Sequence, residues 1–241
     1  MSDSYSDEEC SALSGSVDWM DGVVGRARVV FLRKVLAIFS SQVVVCGLML
    51  CLTFRFPSLS LFMDSHPLLI PISVVCLLLT LYSLVCCVRL QRRFPVNYLL
   101  LSLFTLSEAY LISSLARTSS PLPVLSAALL SLIGTLSLTL STCLCESDFS
   151  ASTASLALGL SLCLTLLLLF FFSPVTPLTL SLSALGVFLF GMYLVIDLQL
   201  IFGPSRHPYT PEDSIMAALN LYLDGINLFL DLLGGLTNTK P

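Results

Sequence analysis

The chain has 241 residues, of which 56% are hydrophobic and only 11% are charged, and its formal net charge is −4. Soluble domains carry about 25% charged residues, so this composition excludes an ordinary soluble domain and indicates an integral membrane protein. No basic face is available to bind phosphates, and we therefore expect the lipid bilayer as a partner and no nucleic acid.

The first predicted unit, residues 1–34, is an acidic, serine-rich tail that ends in a basic cluster. The tail lacks the basic start and the early apolar core of a signal peptide. The basic cluster lies in 26–34 and directly precedes the first apolar run. Because positively charged segments next to a span remain on the cytosolic side, the sequence predicts a cytosolic N-terminus.

Seven apolar runs follow and predict an all-α fold with seven transmembrane helices in one domain, 35–236, before a short C-terminal tail, 237–241. Each run has about 20 residues or more, which crosses roughly 30 Å of hydrocarbon at about 1.5 Å per residue. For the seventh run, the most polar, a re-entrant hairpin is the alternative. The runs are 35–54, 68–88, 97–116, 122–143, 152–172, 178–202 and 215–236.

Four carboxylates lie inside these runs: Glu108 in the third, Asp197 in the sixth, and Asp224 and Asp231 in the seventh. A carboxylate at the centre of a bilayer costs about 2.5–3.5 kcal/mol on insertion scales. No lysine or arginine lies clearly inside a run to pair with them. This imbalance favours bound protons or a bound cation, and structural hydrogen bonding between helices is the alternative.

The polar residues of the last run share one helical face. Asn220, Asp224, Asn227 and Asp231 follow one another at i, i+4, i+7 and i+11, a spacing that lines one side of an α-helix. Lipid cannot satisfy such a polar stripe, so it must face other helices or a water-filled cavity. If Asp224 meets Asp197, one of the two should hold a proton, because like charges at close range repel.

The loop before the last run ends in Thr210-Pro-Glu-Asp213. Thr210 is a suitable helix cap, and acidic residues in a first turn complement the helix dipole. The structural reading of Glu212 and Asp213 is therefore a helix start. The functional reading is an acidic mouth that raises the local concentration of cations.

Three parts of the chain together resemble the transmembrane Bax inhibitor motif family, in its lifeguard and Golgi anti-apoptotic branch. They are RVVFLRKVLAIFSSQVVV at 28–45, FPVNYLLLSLFTLSEAYLIS at 94–113, and MYLVIDLQLIFG at 192–203 followed by PEDSIMAALNLYLDGINLFLDLL at 211–233. The LYLDGINLFL core is the most specific of these motifs. Large DNA viruses encode short relatives of this kind, so the resemblance includes virus-encoded members.

The resemblance implies six helices around a central C-terminal helix. It implies a calcium-permeable leak channel of endoplasmic reticulum, Golgi or lysosome that lowers store calcium and inhibits apoptosis. It assigns a pH-sensitive, calcium-contacting pair to Asp197 and Asp224, and supporting roles in the cation path to Glu212 and Glu108. Calcium is then the permeant ion, with no resident cofactor and no enzymatic activity.

The alternative function is a non-conducting interaction protein. Its carboxylates would be structural, and it would bind cell-death regulators, immune ligands or further copies of itself through small-residue helix faces. A G-protein-coupled receptor and an intramembrane aspartyl protease are disfavoured, because their sequence signatures are absent. One departure from the family also stands out. In some members a basic residue of the second span interacts with the aspartate pair and holds it closed, but no basic residue lies between Leu68 and Val88 here.

Overall fold

The computed structural model describes the backbone of residues 3–144, 177–202, 209, 210 and 212–237, and most of their side chains from residue 29 onward. All regular structure in this part of the chain is helical, which confirms the predicted all-α class. In chain order the helices are α1 (Asp3–Arg55), α2 (Pro57–Ser65), α3 (Leu69–Cys86), α4 (Val88–Gln91), α5 (Val96–Ala116), α6 (Pro121–Leu144), α7 (Pro177–Phe202) and α8 (Ser214–Thr237).

Five of the described helices contain segments long and apolar enough to cross a membrane, which confirms a multi-pass membrane protein. The segments are Val29–Arg55, Leu69–Cys86, Val96–Ala116, Pro121–Thr139 and Ser214–Thr237. The sixth predicted run corresponds to α7, which holds a shorter apolar stretch, Leu185–Ile201. The fifth predicted run, 152–172, lies outside the described residues.

The helix boundaries follow the apolar runs to within a few residues, except at α1. This helix begins at Asp3, so the backbone of the acidic tail continues the helix of the first span. Adding residues to an existing helix avoids the unfavourable nucleation step, which explains how a polar segment can extend a span. Two short helices, α2 and α4, also fill gaps between predicted spans.

The last helix is one of the two most enclosed among the described elements. It packs against α1, α5, α6 and α7, whereas α3 packs mainly against α5. Half of the span residues of α5 and of α8 are buried, compared with 11% of those of α3. Side chains on α8 are therefore held by neighbours on several sides, and this is where a polar stripe can be shielded from lipid.

Two apolar clusters follow α8 along its length. The first packs Val35, Phe104 and Leu198 around Tyr222, and the Phe104 and Tyr222 rings meet edge to face with centroids 6.3 Å apart. The second surrounds Phe229 further along the helix. Because burial of apolar surface is the main stabilising term in packing, these clusters fix the rotation of α8 and hence the direction of its polar residues.

An ion pair also ties α2 to the end of α5. The Arg117 guanidinium donates a hydrogen bond to the Asp64 carboxylate and a longer one to the backbone carbonyl of Ser60, at 3.4 Å. A second ion pair, between Arg92 and the residues that precede α8, lies at the opposite end of α5. Each end of α5 is therefore joined to another element by an arginine.

Candidate functional site

The structure brings Asp197 of α7 and Asp224 of α8 together. Their side chains are half-buried and lie within hydrogen-bonding reach of each other. An ionised carboxylate only accepts hydrogen bonds, so a bond between the two requires a proton on one of them. Asp224 lies about 15 Å along α8 from Ser214, at about 1.5 Å per residue, which is near the middle of the span.

Tyr209 and Asn220 close the loop side of this aspartate pair. The Asn220 Nδ2 donates a hydrogen bond of 3.1 Å to the Tyr209 hydroxyl oxygen. Burial raises the pKa of Tyr209, and the nearby carboxylates of Asp197, Asp213 and Asp224 raise it further. Tyr209 therefore stays a neutral phenol whose hydroxyl proton remains available beside the pair.

Asp231 occupies a separate position on the same face of α8. It is half-buried and packs against α7 at Gly186, where a Cβ atom would overlap its carboxylate. One oxygen of Asp231 and one of Asp224 are buried without a hydrogen-bond partner among the described residues. The predicted polar stripe thus contacts α7 at two levels, and Asn227 lies half-buried between them.

Glu108 belongs to a different group of residues, which we call the buried polar cluster: Gln42, Cys46, Thr105, Glu108 and Tyr222. The Gln42 amide donates a 3.1 Å hydrogen bond to the Thr105 hydroxyl. Glu108 is only 8% exposed and lies close to Cys46 and Tyr222. The cluster joins α1, α5 and α8, so Glu108 is not brought to the aspartate pair.

Glu212 and Asp213 lie beside a base that the acidic-mouth interpretation did not include. Arg92 donates to the Asp213 carboxylate through Nε at 3.1 Å and Nη2 at 2.8 Å, and its Nη1 lies 3.6 Å from Glu212. Asp213 also accepts bonds from the backbone N–H and the hydroxyl of Thr210, at 3.0 and 2.7 Å. Burial opposes ionisation of Asp213, but these bonds outweigh it and lower its pKa.

Glu212 itself remains largely exposed, with 69% of its side chain accessible. The predicted mouth is therefore a mixed surface in which Arg92 offsets part of the acidic charge. The Thr210 hydroxyl donates to the Asp213 carboxylate and accepts no backbone N–H bond among the described residues, and the regular helix begins only at Ser214, so Thr210 does not make the predicted capping contact.

The carboxylates are too dispersed for a tight metal centre. Within the described ranges, no three His, Cys, Asp or Glu side chains lie close enough together to hold a metal ion. Calcium takes 6–8 oxygen ligands, and the pair of Asp197 and Asp224 supplies only part of such a shell. A calcium ion at this position would need water or other groups to complete its shell.

Sequence reasoning missed four residues that shape these groups. Arg92 and Tyr209 both lie outside the motif segments, and nothing in the sequence around them indicates a partner. Gln42 is the one carboxamide in the first span, and an amide in an apolar run is itself a signal of a helix contact. Gly186 carries no signal in sequence, because the group that requires it lies on another helix.

Comparison with protein families places this geometry in context. A family model described as "Inhibitor of apoptosis-promoting Bax1" matches residues 28–240. The match includes the three motif segments given in the sequence analysis and all of the carboxylates discussed above. The chain belongs to this Bax inhibitor family. The predicted family resemblance is therefore confirmed.

Relatives of this chain come from a fungus, a mammal and a virus. Bax inhibitor 1 of Schizosaccharomyces pombe is 33% identical, over 88% of this chain and 78% of the relative. Protein lifeguard 4 of Mus musculus is 35% identical, over 86% of this chain and 84% of the relative. The Golgi anti-apoptotic protein of vaccinia virus (strain Lister) is 30% identical, over 93% of each chain.

Proposed function

We propose that this Bax inhibitor family member inhibits apoptosis from intracellular membranes by acting as a calcium-permeable leak channel, with Asp197 and Asp224 as its pH-sensitive site. The observation that carries the proposal is the contact of these two carboxyl groups within a span, on neighbouring helices. No base in the described part of the chain forms an ion pair with either of them. A proton or a cation is then the remaining means of balancing their charge.

In the proposed mechanism, a proton shared by the aspartate pair holds α7 and α8 together and blocks the path. Loss of that proton leaves two carboxylates that repel each other and attract a divalent cation. The oxygen atoms of Asn220 and Tyr209 provide further weak contacts on the loop side. An incomplete ligand shell lets the ion leave, which conduction requires.

The proposed function also includes the topology of the spans in the membrane and the route by which cations reach the aspartate pair. Six spans would surround α8, with the N-terminus and the Arg92 end of the bundle in the cytosol. Arg92 and Asp213 would then limit access to the path from the cytosolic side, and exposed Glu212 would attract cations. The names of the relatives support the cellular role, since they mention apoptosis and the Golgi; endoplasmic reticulum and lysosome are further candidate compartments.

A non-conducting interaction protein is the second candidate, because some of the membrane carboxylates make packing contacts. Asp231 fits against the backbone of α7 at Gly186. Glu108 is enclosed among three helices. If Asp197 and Asp224 serve in the same way, the protein acts through binding of cell-death regulators or further copies of the chain.

The two candidates are separated by the calcium content of stores, measured with a lumenal indicator in cells that make wild type, Asp197→Asn or Asp224→Asn at equal levels. An asparagine amide can still donate to the remaining carboxylate, so the helix contact persists while the charge is lost. Asp64→Asn is the matched control, because it removes an exposed carboxylate that pairs with Arg117 and is not part of the aspartate pair.

We expect wild type and the Asp64→Asn control to lower store calcium and the two site variants not to do so. Protection from an apoptotic stimulus is measured in the same cells. Unchanged store calcium with wild type, together with equal protection by all four proteins, would exclude the channel and favour the interaction protein.

A further inference from the structure

Two arginines and two apolar side chains form an exposed surface on the short segment that joins α3 to α5. We call it the basic-apolar surface: Arg89, Leu90, Arg93 and Phe94. All four residues are exposed, and Phe94 is 77% accessible. Neither arginine forms an ion pair within the described residues. Packing within the described part of the chain therefore does not account for this combination of free positive charge and exposed aromatic surface.

Contacts on the inner side of the segment determine which of its side chains face outward. The Asn97 amide donates a 3.1 Å hydrogen bond to the backbone carbonyl of Gln91, and both of these residues are buried. Arg92 is directed to the Asp213 carboxylate. The segment itself is a run of consecutive turns closed by backbone hydrogen bonds. The basic-apolar surface is thereby held on the outer side.

The surface lies at the level of the lipid headgroups. One membrane span ends at Cys86 and the next begins at Val96, so the segment emerges from the hydrocarbon and returns to it. Arg89 is three residues beyond the end of the first of these spans, about 4.5 Å at about 1.5 Å per residue. The headgroup layer adds roughly 5–7 Å on each side of the hydrocarbon. Side chains here can reach both headgroup phosphates and the upper part of the acyl chains.

No carboxylate of the surrounding sequence competes for the two free arginines. The chain contains no aspartate or glutamate between Asp64 and Glu108. The acidic residues that reach the segment from the start of α8 contact Arg92 instead. A guanidinium group binds phosphate oxygens through two parallel N–H donors. The negative charge that balances this surface is therefore expected from a group outside the chain.

The apolar half of the surface distinguishes a lipid from other phosphates. A soluble phosphate would leave Phe94 and Leu90 in water, whereas a lipid offers hydrocarbon beside its headgroup, and burial of a phenylalanine side chain is favourable. Two arginines are too few to follow a nucleic-acid backbone, which takes many phosphate contacts. The choline of a zwitterionic lipid offsets the charge of its phosphate, so a net negative headgroup attracts the arginines more strongly.

We propose that the basic-apolar surface binds an anionic phospholipid, with the headgroup phosphate on Arg89 and Arg93 and the Phe94 ring among the acyl chains. Each basic residue near an anionic membrane surface strengthens binding by about five-fold. The two arginines together therefore give a preference of about 25-fold over a zwitterionic lipid. The proposal requires that α3 and α5 span the membrane, and it does not depend on ion conduction.

The test measures lipid binding to the full chain, purified in a neutral detergent, by native mass spectrometry. The probes are dioleoylphosphatidylserine, dioleoylphosphatidylcholine and glycerophosphoserine, which has the anionic headgroup without acyl chains. We expect wild type to bind its first phosphatidylserine about 25-fold more tightly than its first phosphatidylcholine. Glycerophosphoserine should bind far more weakly than either lipid.

Three variants separate the charge from the apolar contact. Arg89→Gln/Arg93→Gln should abolish the preference for phosphatidylserine and leave phosphatidylcholine binding unchanged. Arg33→Gln/Lys34→Gln is the matched control, because it removes two exposed positive charges from the first span and should keep the preference. Phe94→Ser should weaken both lipids equally, by about ten-fold. Affinities are compared only among variants whose melting temperatures match that of wild type.

Three outcomes would overturn the proposal. Equal affinity of wild type for the two lipids would mean that the arginines are merely solvated. An equal loss of preference in both double variants would mean that diffuse charge, and not this surface, selects the lipid. Binding of glycerophosphoserine as tight as that of phosphatidylserine would mean that the arginines hold a soluble anion.

Discussion

The contact between Gly186 and Asp231 predicts that a single added methyl group destabilises the pairing of α7 and α8. A Cβ atom at position 186 would overlap the Cγ and both oxygens of the Asp231 carboxylate. One of those oxygens is buried, so the side chain cannot simply turn outward into solvent. The substitution Gly186→Ala must therefore move the carboxylate or separate the two helices.

The expected magnitude follows from two opposing effects. Extra methyl groups in a packed core cost about 1–3 kcal/mol, and the better helix propensity of alanine offsets about 1 kcal/mol. The net loss for Gly186→Ala is then about 0–2 kcal/mol. For a chain of this size, the upper end of that range corresponds to a decrease of about 4–8 °C in Tm.

The assay is thermal unfolding of the purified protein in one detergent, followed by circular dichroism. Gly234→Ala is the control, because a Cβ at Gly234 meets no atom within 4 Å. That variant should gain about 1 kcal/mol from helix propensity. The double variant Gly186→Ala/Asp231→Ala removes the obstructing carboxylate and should recover most of the lost stability, since the two residues are in direct contact.

Equal melting temperatures for Gly186→Ala and Gly234→Ala would refute the close contact. Additive effects of Gly186→Ala and Asp231→Ala would refute it as well, because independent sites show no coupling energy. In either case Asp231 would be assigned to a position away from the backbone of α7.

Three further predictions concern the loop end of α8. Arg92→Gln should cost less than about 1 kcal/mol, the usual range for exposed ion pairs, and the loss measured by thermal unfolding should shrink in high salt; a loss that salt does not change would contradict an ion pair. Because the pKa of Asp213 is lowered in the fold, its stabilising contribution is full above the unfolded pKa of about 3.9 and disappears as the pH falls through the lower folded pKa. The difference in Tm between wild type and Asp213→Asn should therefore be largest near neutral pH and vanish in strong acid. Tyr209→Phe removes the acceptor of the Asn220 amide and should cost about 0.5–1.5 kcal/mol, whereas Tyr98→Phe, a change at a residue 43% exposed, should have little effect.

Much of the fold and the face of the polar stripe could be predicted from the sequence, because both depend on local periodicity. Runs of about 20 apolar residues can satisfy their backbone groups in a membrane only as helices. The spacing of Asn220, Asp224, Asn227 and Asp231 fixes their common face once a helix is assumed. The contact of Asp224 with Asp197 then needs only that the two helices be neighbours, which a short loop favours.

The contacts that were not predicted join residues far apart in the chain. Arg92 and Asp213 are separated by 121 positions, and no local pattern pairs them. The separation of Glu108 from the aspartate pair was missed for the same reason, since hydropathy alone does not say which faces of α1, α5 and α8 meet. The helical continuation of α1 into the tail was missed because composition describes how well a segment folds alone, not what an adjacent helix imposes on it.

The two contacts between α7 and α8 also determine how these helices can move. Asp224 and Asp231 are seven residues apart, so the contacts lie about 10 Å from each other along α8. If the aspartate pair separates while Gly186 stays against Asp231, then α7 must tilt about that glycine as a lever turns on a pivot. The arm on α7 runs from Gly186 to Asp197, 11 residues or about 16 Å, so each ångström of separation at the aspartates corresponds to a tilt of about 3–4°. Under the proposed function, a change of charge at the aspartate pair would then produce a larger displacement at the end of α7 nearest to Tyr209 than at the pair itself.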